Sequence, residues 1–371
     1  MNRDIEQYRK YLVQKESGRL TATTYLSEVI SFRDFMVASK PECHSWSEVT
    51  SEDARDFCKE RLSAGKKERT INSNITCLRM FFDYLIVLDK IQENPFRHVN
   101  FHKVKWGAPT VLDANQSAQL VGAPMREYQI LLDTLDRPKP KRLGKLFYFR
   151  DQFILEMLYY SGIKLGELVS LCDRDIDCVE MTVSISGKAG RNKSRVLQLP
   201  ECVIVTFNDY VGIRNKKWSD LTLESNPIVI RNKFGLPMNP RNVRRIIGHY
   251  AQKSGLHPGI SPDTLRATFT LGVLRGGADA ANIQYLLGYE DLSSAESYVS
   301  RFKPLLRKRR KKSQLLCLSA GKKEERRKKG KLGKAHFIYY LLFIIFSQAG
   351  IKKCNTFVMY DNVEGRRISI D

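Results

Sequence analysis

Residues 70 to 86 place Ile71, Ile75, Leu78, Phe82 and Leu85 at intervals of four, three, four and three. Only a helix can present those five side chains on one side, because the faces of a strand alternate every second residue. Tyr25, Val29, Phe32 and Met36 repeat the pattern over residues 24 to 36. Each stripe must bury itself against another element. Between the two, TSEDARDFCKERL opens with Thr50 and Ser51 followed by acidic residues, the start signal of a further helix. Residues 1–95 therefore read as a helical bundle closed by Asn94-Pro95, and residues 96–108 as a basic linker.

Beyond Pro109 the pattern changes. FRDQFILEMLYYSGIKLGELVSLCDRDID (149 to 177) reads as a buried helix broken at Gly162 and followed by a short second helix. TVSIS and SRVLQL are β-branched runs joined by GKAGRNK, which predicts a strand, a flexible basic loop and a returning strand. From Asn239 onward Val243, Ile246, Ile247 and Tyr250 share one helical face. Ser261-Pro262 then opens the helix that contains Arg266 and ends by Gly276-Gly277. The expected fold class is mainly α with a small antiparallel β-sheet: a helical domain, then an α+β domain over 109–302, then a tail over 303–371.

A chain of 371 residues with 42% apolar side chains can bury two cores. Its formal net charge of +22 calls for an anionic polymer or an anionic surface as partner. Between Lys303 and Lys334 fifteen Lys or Arg face two Glu, so +13 of that charge belongs to the tail and the body is only moderately basic. RKRRKK (307 to 312) reads as a solvated stretch, with a nucleic-acid arm as the alternative. The eight cysteines, at 43, 58, 77, 172, 178, 202, 317 and 354, form no C-x-x-C pair, which argues against a metal site or a disulfide framework. MNRDIEQYRKYLVQKES has no apolar run of the secretory kind, so a cytoplasmic, nucleoid-associated protein is expected. AHFIYYLLFIIFSQAGI (335–351) is uncharged over 17 residues; it reads as a packing helix, with a membrane anchor as the alternative.

Several blocks occur in a telling order. TATTYLSEVISFRDFM, RTINSNITCLRMFFDYL and IQENP come first, then YYSGIKLGELVSLCDRDID, ISGKAGRNKSRVLQLP, SPDTLRATFTLGVLRGGAD and IQYLLGYEDLSSAESYVS. From about residue 5 to residue 302 the chain resembles the tyrosine recombinases, the phage-integrase or Xer-type family of site-specific DNA recombinases. The resemblance implies a helical core-binding domain and a catalytic domain that close around double-stranded DNA. It implies a homotetramer on DNA, with neither metal nor cofactor, and a reaction in which a tyrosine hydroxyl forms a 3′-phosphotyrosyl bond and releases a 5′-hydroxyl. Charge builds on the phosphate in that reaction, and guanidinium forks suit its oxygens.

Carried over position by position, Tyr298 falls on the nucleophile, nine residues after Tyr289 in LLGYED. Arg266 falls on the second phosphate-clamping arginine, and Lys188 on the hairpin lysine that serves as general acid, with Lys193 the alternative in GKAGRNK. Four positions depart from the family. Lys164 replaces the first arginine and keeps the charge but not the fork, Asp263 and Ala267 stand where histidines flank Arg266, and Tyr289 replaces a His or Trp. Asp263 could orient Arg266 or accept the tyrosine proton, and Tyr289 could still donate one hydrogen bond. Each lost preorganised donor costs about 3 kcal/mol of transition-state stabilisation. The rival readings are therefore a DNA-binding homologue that occupies a site without cutting it and, resting on 335–351 alone, a membrane-tethered basic protein. Arg69, Thr70, Asn72, Asn74 and Arg79, on or just before the polar side of the 70–86 helix, are expected to face DNA.

Overall fold

The computed structural model describes residues 1–15, 19–104, 106–134, 142–187, 193–218, 227–307, 358–360 and 367–369. It divides into two compact units, Met1–Trp106 and Gly107–Asp371. The apolar segment 335–351, residues 308–312 of the basic run, and Lys188 lie outside the described residues. No described helix is long and apolar enough to cross a membrane.

The first unit contains α1 (Asn2–Gln14), α2 (Arg19–Ser39), α3 (Ser51–Ser63) and α4 (Glu68–Val87). α3 starts where the sequence signals it. The Thr50 N–H donates to Asp53 Oδ2 at 2.8 Å, and the Asp53 N–H donates back to Thr50 Oγ1 at 3.2 Å, a reciprocal cap that satisfies two otherwise orphaned donors. The α4 stripe is inside: Ile75, Leu78, Phe82 and Leu85 are fully buried. Phe32 of α2 meets the rings of Phe57, Phe82 and Phe96 edge-on at 5.1, 5.9 and 5.1 Å, and each such pair adds about 1 kcal/mol to the burial itself.

The linker expected from residue 96 is shorter than its composition suggests. Phe96 and Val99 are buried in the first core, and Arg79 of α4 holds the segment by donating to the carbonyls of Phe96 (3.0 Å) and Val99 (2.7 Å). The boundary between the units accordingly falls after Trp106.

The second unit runs through α5 (Ala114–Val121), α6 (Ala123–Thr134), α7 (Arg142–Ser161) and α8 (Leu165–Leu168) to a three-stranded sheet, β1 (Ile176–Asp177), β2 (Thr182–Ile185) and β3 (Arg195–Gln198). α9 (Glu201–Lys217), α10 (Pro240–Lys253), α11 (Pro262–Arg275), α12 (Ala280–Leu287) and α13 (Leu292–Ser300) follow. The strands are antiparallel in the order β1-β2-β3, with Val183 opposite both Ile176 and Leu197. β4 (Val358–Tyr360) and β5 (Arg367–Ser369) form a separate antiparallel pair.

α7 is the central helix. Phe153, Ile154, Leu155, Met157 and Leu158 are all fully buried, the mark of a helix packed on every side, and α6, α9 and α11 lie against it. It ends at Gly162, where φ is +60° and a Cβ would come within 2.4 Å of the Phe269 ring. Only glycine both reaches that conformation without strain and lets α11 approach so closely.

Candidate active site

α11 is capped by Ser261, whose hydroxyl accepts from the Thr264 N–H, and begins with Pro262. On its inner side Arg266 is 6% exposed. Its Nη1 donates to the Gly162 carbonyl and its Nη2 to the Leu287 carbonyl at 2.8 Å. Burying a guanidinium is costly unless its donors find acceptors, and here the ends of α7 and α12 provide them. The oxygens of Tyr289, Glu167 and Tyr298 add favourable electrostatics against the desolvation. Orientation by Asp263 is not what the fold uses. Asp263 is exposed on the first turn of α11, and among the described residues Arg266 forms no ion pair with it.

Lys164 precedes α8, and its backbone N–H donates to Glu167 Oε2 at 2.9 Å. Burial lowers the pKa of its ammonium, and the nearby Arg266 and Arg195 charges lower it further against the opposing pull of Glu167. Glu167 receives a two-pronged grip from Arg195, at 3.1 and 2.8 Å. Burial by itself would raise the Glu167 carboxyl, but the Arg195 hydrogen bonds and charge outweigh it and hold the group below its ordinary value. Arg195 is 4% exposed and its Nε donates to the Leu286 carbonyl at 2.9 Å. One side chain thus joins β3, α8 and the end of α12. Gly288, left-handed at φ +66°, closes α12 where a Cβ would lie 2.5 Å from Arg195 Nη1.

The turn after α12 delivers Tyr289, and α13 delivers Tyr298. The Asp291 carboxylate caps α13 by accepting from the Ser294 N–H at 2.7 Å and from the hydroxyls of Ser293 and Ser294 at 2.6 and 2.9 Å. These bonds hold its pKa down to about 2. The Tyr298 ring lies 5.8 Å from that of Tyr289 and 5.2 Å from that of Phe302; Lys164 Nζ lies 5.8 Å from the Tyr289 ring centre. Burial raises the Tyr298 phenol. The Arg266 charge, a hydrogen bond with Thr270 and the Arg301 charge oppose that rise, whereas Asp263 adds to it. Burial likewise raises Tyr289, against the charge and hydrogen bond of Arg266. Ala267 belongs to a small apolar cluster with Leu271 and Phe302.

Tyr298, Tyr289, Arg266 and Lys164 therefore converge from four separate segments, with Asp263 at the exposed edge. Lys193 is exposed at the described end of the hairpin loop. Sequence reasoning did not single out Glu167, Arg195, Thr270 or Arg301.

In the first unit the expected DNA face needs correction. Asn74 is 3% exposed, and its amide donates to Glu28. Asn72 exchanges two hydrogen bonds with the backbone of His102, at 2.9 and 2.8 Å. Arg79 holds the 96–99 segment and stacks over Phe101 at 4.6 Å. These three side chains serve the fold of their own unit. Thr70 and Arg69 are exposed, the Arg69 guanidinium lying 4.5 Å over the Trp106 ring.

Residues 5–87 match the phage integrase N-terminal SAM-like domain, and residues 125–303 match the phage integrase family. Tyrosine recombinase XerC of Thermodesulfovibrio yellowstonii is 31% identical over 288 residues, covering 77% of this chain and 87% of the relative. The chain belongs to the phage integrase family of tyrosine recombinases. XerC of Bacillus licheniformis is likewise 31% identical, over 80% of this chain and 90% of its own. Among solved structures, the XerH site-specific recombinase bound to difH substrate has a TM-score of 0.59 at 15% identity and covers 79% of each chain. A lambda integrase dimer bound to a COC′ core site has a TM-score of 0.55 at 14% identity, over 89% of this chain and 99% of that one. At these identities both likenesses concern the fold, a tyrosine-recombinase fold that is mostly helical with one small antiparallel sheet.

Proposed function

We propose that this recombinase cuts and rejoins double-stranded DNA at specific sites, with Tyr298 as nucleophile and Arg266 as the principal phosphate clamp. The reading rests on the convergence of a phenol, a carbonyl-held guanidinium, an ammonium and a second phenol around one spot. In the cleavage step Tyr298 Oη loses its proton and bonds to phosphorus. The bond from phosphorus to the 5′ oxygen breaks, and that oxygen takes a proton from a hairpin lysine, Lys188 or Lys193. Arg266 fits the phosphate with paired donors, whereas Lys164 offers charge without a fork and Tyr289 offers one hydroxyl. Asp263, whose charge bears on the Tyr298 phenol, takes its proton in this reading. Rejoining reverses these steps with a 5′-hydroxyl of the partner strand, so bond energy is conserved. The enzyme acts as a homotetramer on short inverted sites in the cytoplasm, associated with the nucleoid, and Arg69, Thr70 and Lys193 add phosphate contacts.

The test is a nicked duplex carrying a site selected from a random-sequence pool by binding to the purified protein. A denaturant-resistant protein–DNA adduct should form and should vanish in Tyr298→Phe. Specific binding without any adduct between about pH 6 and about pH 9 would instead mark a site-occupying homologue.

A further inference from the structure

Tyr298 stands in the last turn of α13, and Arg301 closes that turn by donating its backbone N–H to the Tyr298 carbonyl at 3.2 Å. The side chain of Arg301 then folds back over the same residue, its guanidinium carbon 5.7 Å from the Tyr298 ring centre. Its Nε reaches the carbonyl of Gly107 at 3.4 Å. Next along the chain, Phe302 is fully buried, its ring 5.2 Å from that of Tyr298. The Tyr298 ring thus has a cation and a buried aromatic of its own segment within reach, while the Arg301 bond to Gly107 ties it to the segment that leads into α5.

The groups facing Tyr298 can be set out by element. α11 brings Arg266, the Thr270 hydroxyl and Asp263; the turn after α12 brings Tyr289, with Lys164 beyond it; α13 and its cap bring Arg301. A carboxylate stands at 263, where the family carries a group able to bear positive charge, so α11 supplies one cation and one anion to the phenol. A cation from the nucleophile's own segment restores the balance. We propose that Arg301 is a positioning residue for strand cleavage: it holds the Tyr298 ring in place and supplies, from α13, the positive charge that position 263 does not. The inference rests on Tyr298 being the nucleophile. Cation–ring stacking of this kind is strongest where water is partly excluded, and Arg301 is half-buried. Consistent with this geometry, its charge favours the ionised form of both Tyr298 and Tyr289.

The experiment compares the parent enzyme with Arg301→Gln and Arg301→Lys. The readout is single-turnover adduct formation on the nicked duplex described above, at saturating protein, as a function of pH. Arg301→Gln should slow adduct formation about tenfold at neutral pH and move the alkaline-dependent limb upward by about one pH unit. Duplex affinity should change less than about threefold, as for one exposed phosphate-range charge. Arg301→Lys, which keeps the charge but loses the plane, should recover part of the rate. An unchanged rate and pH profile in both single variants overturns the proposal, as does a loss that disappears at saturating protein. An adduct that fails to form with the parent enzyme, or that persists in Tyr298→Phe, overturns the nucleophile assignment and the role of Arg301 with it.

Discussion

Arg195 carries its charge into the interior of the second unit, and Glu167 answers it with both carboxylate oxygens. Removing one member strands the other, so Arg195→Met should cost about 3–5 kcal/mol in urea unfolding. Replacing Glu167 by Gln as well should return part of that loss, because the stranded charge is gone. Gly288→Ala attacks the same pair from outside, through a Cβ 2.5 Å from Arg195 Nη1 at a φ of +66°; a loss of about 2 kcal/mol or more is expected, with cleavage falling further than DNA binding. At the site itself, Lys164→Arg together with Asp263→His should raise adduct yield at least about tenfold, since a fork and a neutral-to-cationic donor replace a point charge and an anion. Tyr298 and Arg266 were legible because their spacing follows blocks that occur in a fixed order. Arg195 was signalled but not read: two residues before Leu197 in a strand, it shares the buried face of that leucine. Asn74 was signalled too, since it lies a helical turn from Ile71 and Leu78 and so falls within the apolar stripe rather than opposite it.

Among the elements, α7 places a carboxylate where none is needed for packing. Glu156 is 7% exposed, and it accepts from Gln152 Nε2 at 2.7 Å. Burial, only partly offset by hydrogen bonds from Gln152 and Thr206, pushes its pKa from 4.5 to about 7. The folded state therefore holds this proton more tightly than the unfolded chain does. Its contribution to stability is present in full below about pH 4 and is lost as pH rises through 7, by about 3 kcal/mol in all. Glu156→Gln should remove that slope, leaving a variant whose unfolding midpoint declines less than the parent's between pH 4.5 and about 7, the two pKa values. The long helices were readable because several turns of apolar spacing accumulate, as in α4 and α10. The two-residue strand β1 offers no alternation to read, and in α12 and α13, of eight and nine residues, little more than two turns are available to carry a period. The packing of Phe96 and Val99 depends on Arg79, seventeen and twenty residues away along the chain, a relation that local spacing does not encode.

For the whole molecule, charge is unevenly spread along the sequence. Thirteen Lys or Arg and two Glu lie between Lys308 and Lys334, outside the segments that supply Tyr298, Arg266, Lys164 and Tyr289. Under the nucleic-acid-arm reading of the tail, truncation after Arg307 should weaken binding to an unrelated duplex and flatten the dependence of log affinity on log salt, each lost phosphate contact removing about 0.9 from the slope, whereas a solvated stretch predicts no change. Adduct formation at saturating protein should persist, which a filter-binding series run beside the adduct assay would check. Two of the acceptors of Arg266 are peptide carbonyls, at Gly162 and Leu287, and a point mutation can alter any side chain but cannot delete a peptide oxygen. The aim of this guanidinium is therefore set in part by the path of the main chain, so substitutions at 164 and 263 should leave those two holds in place.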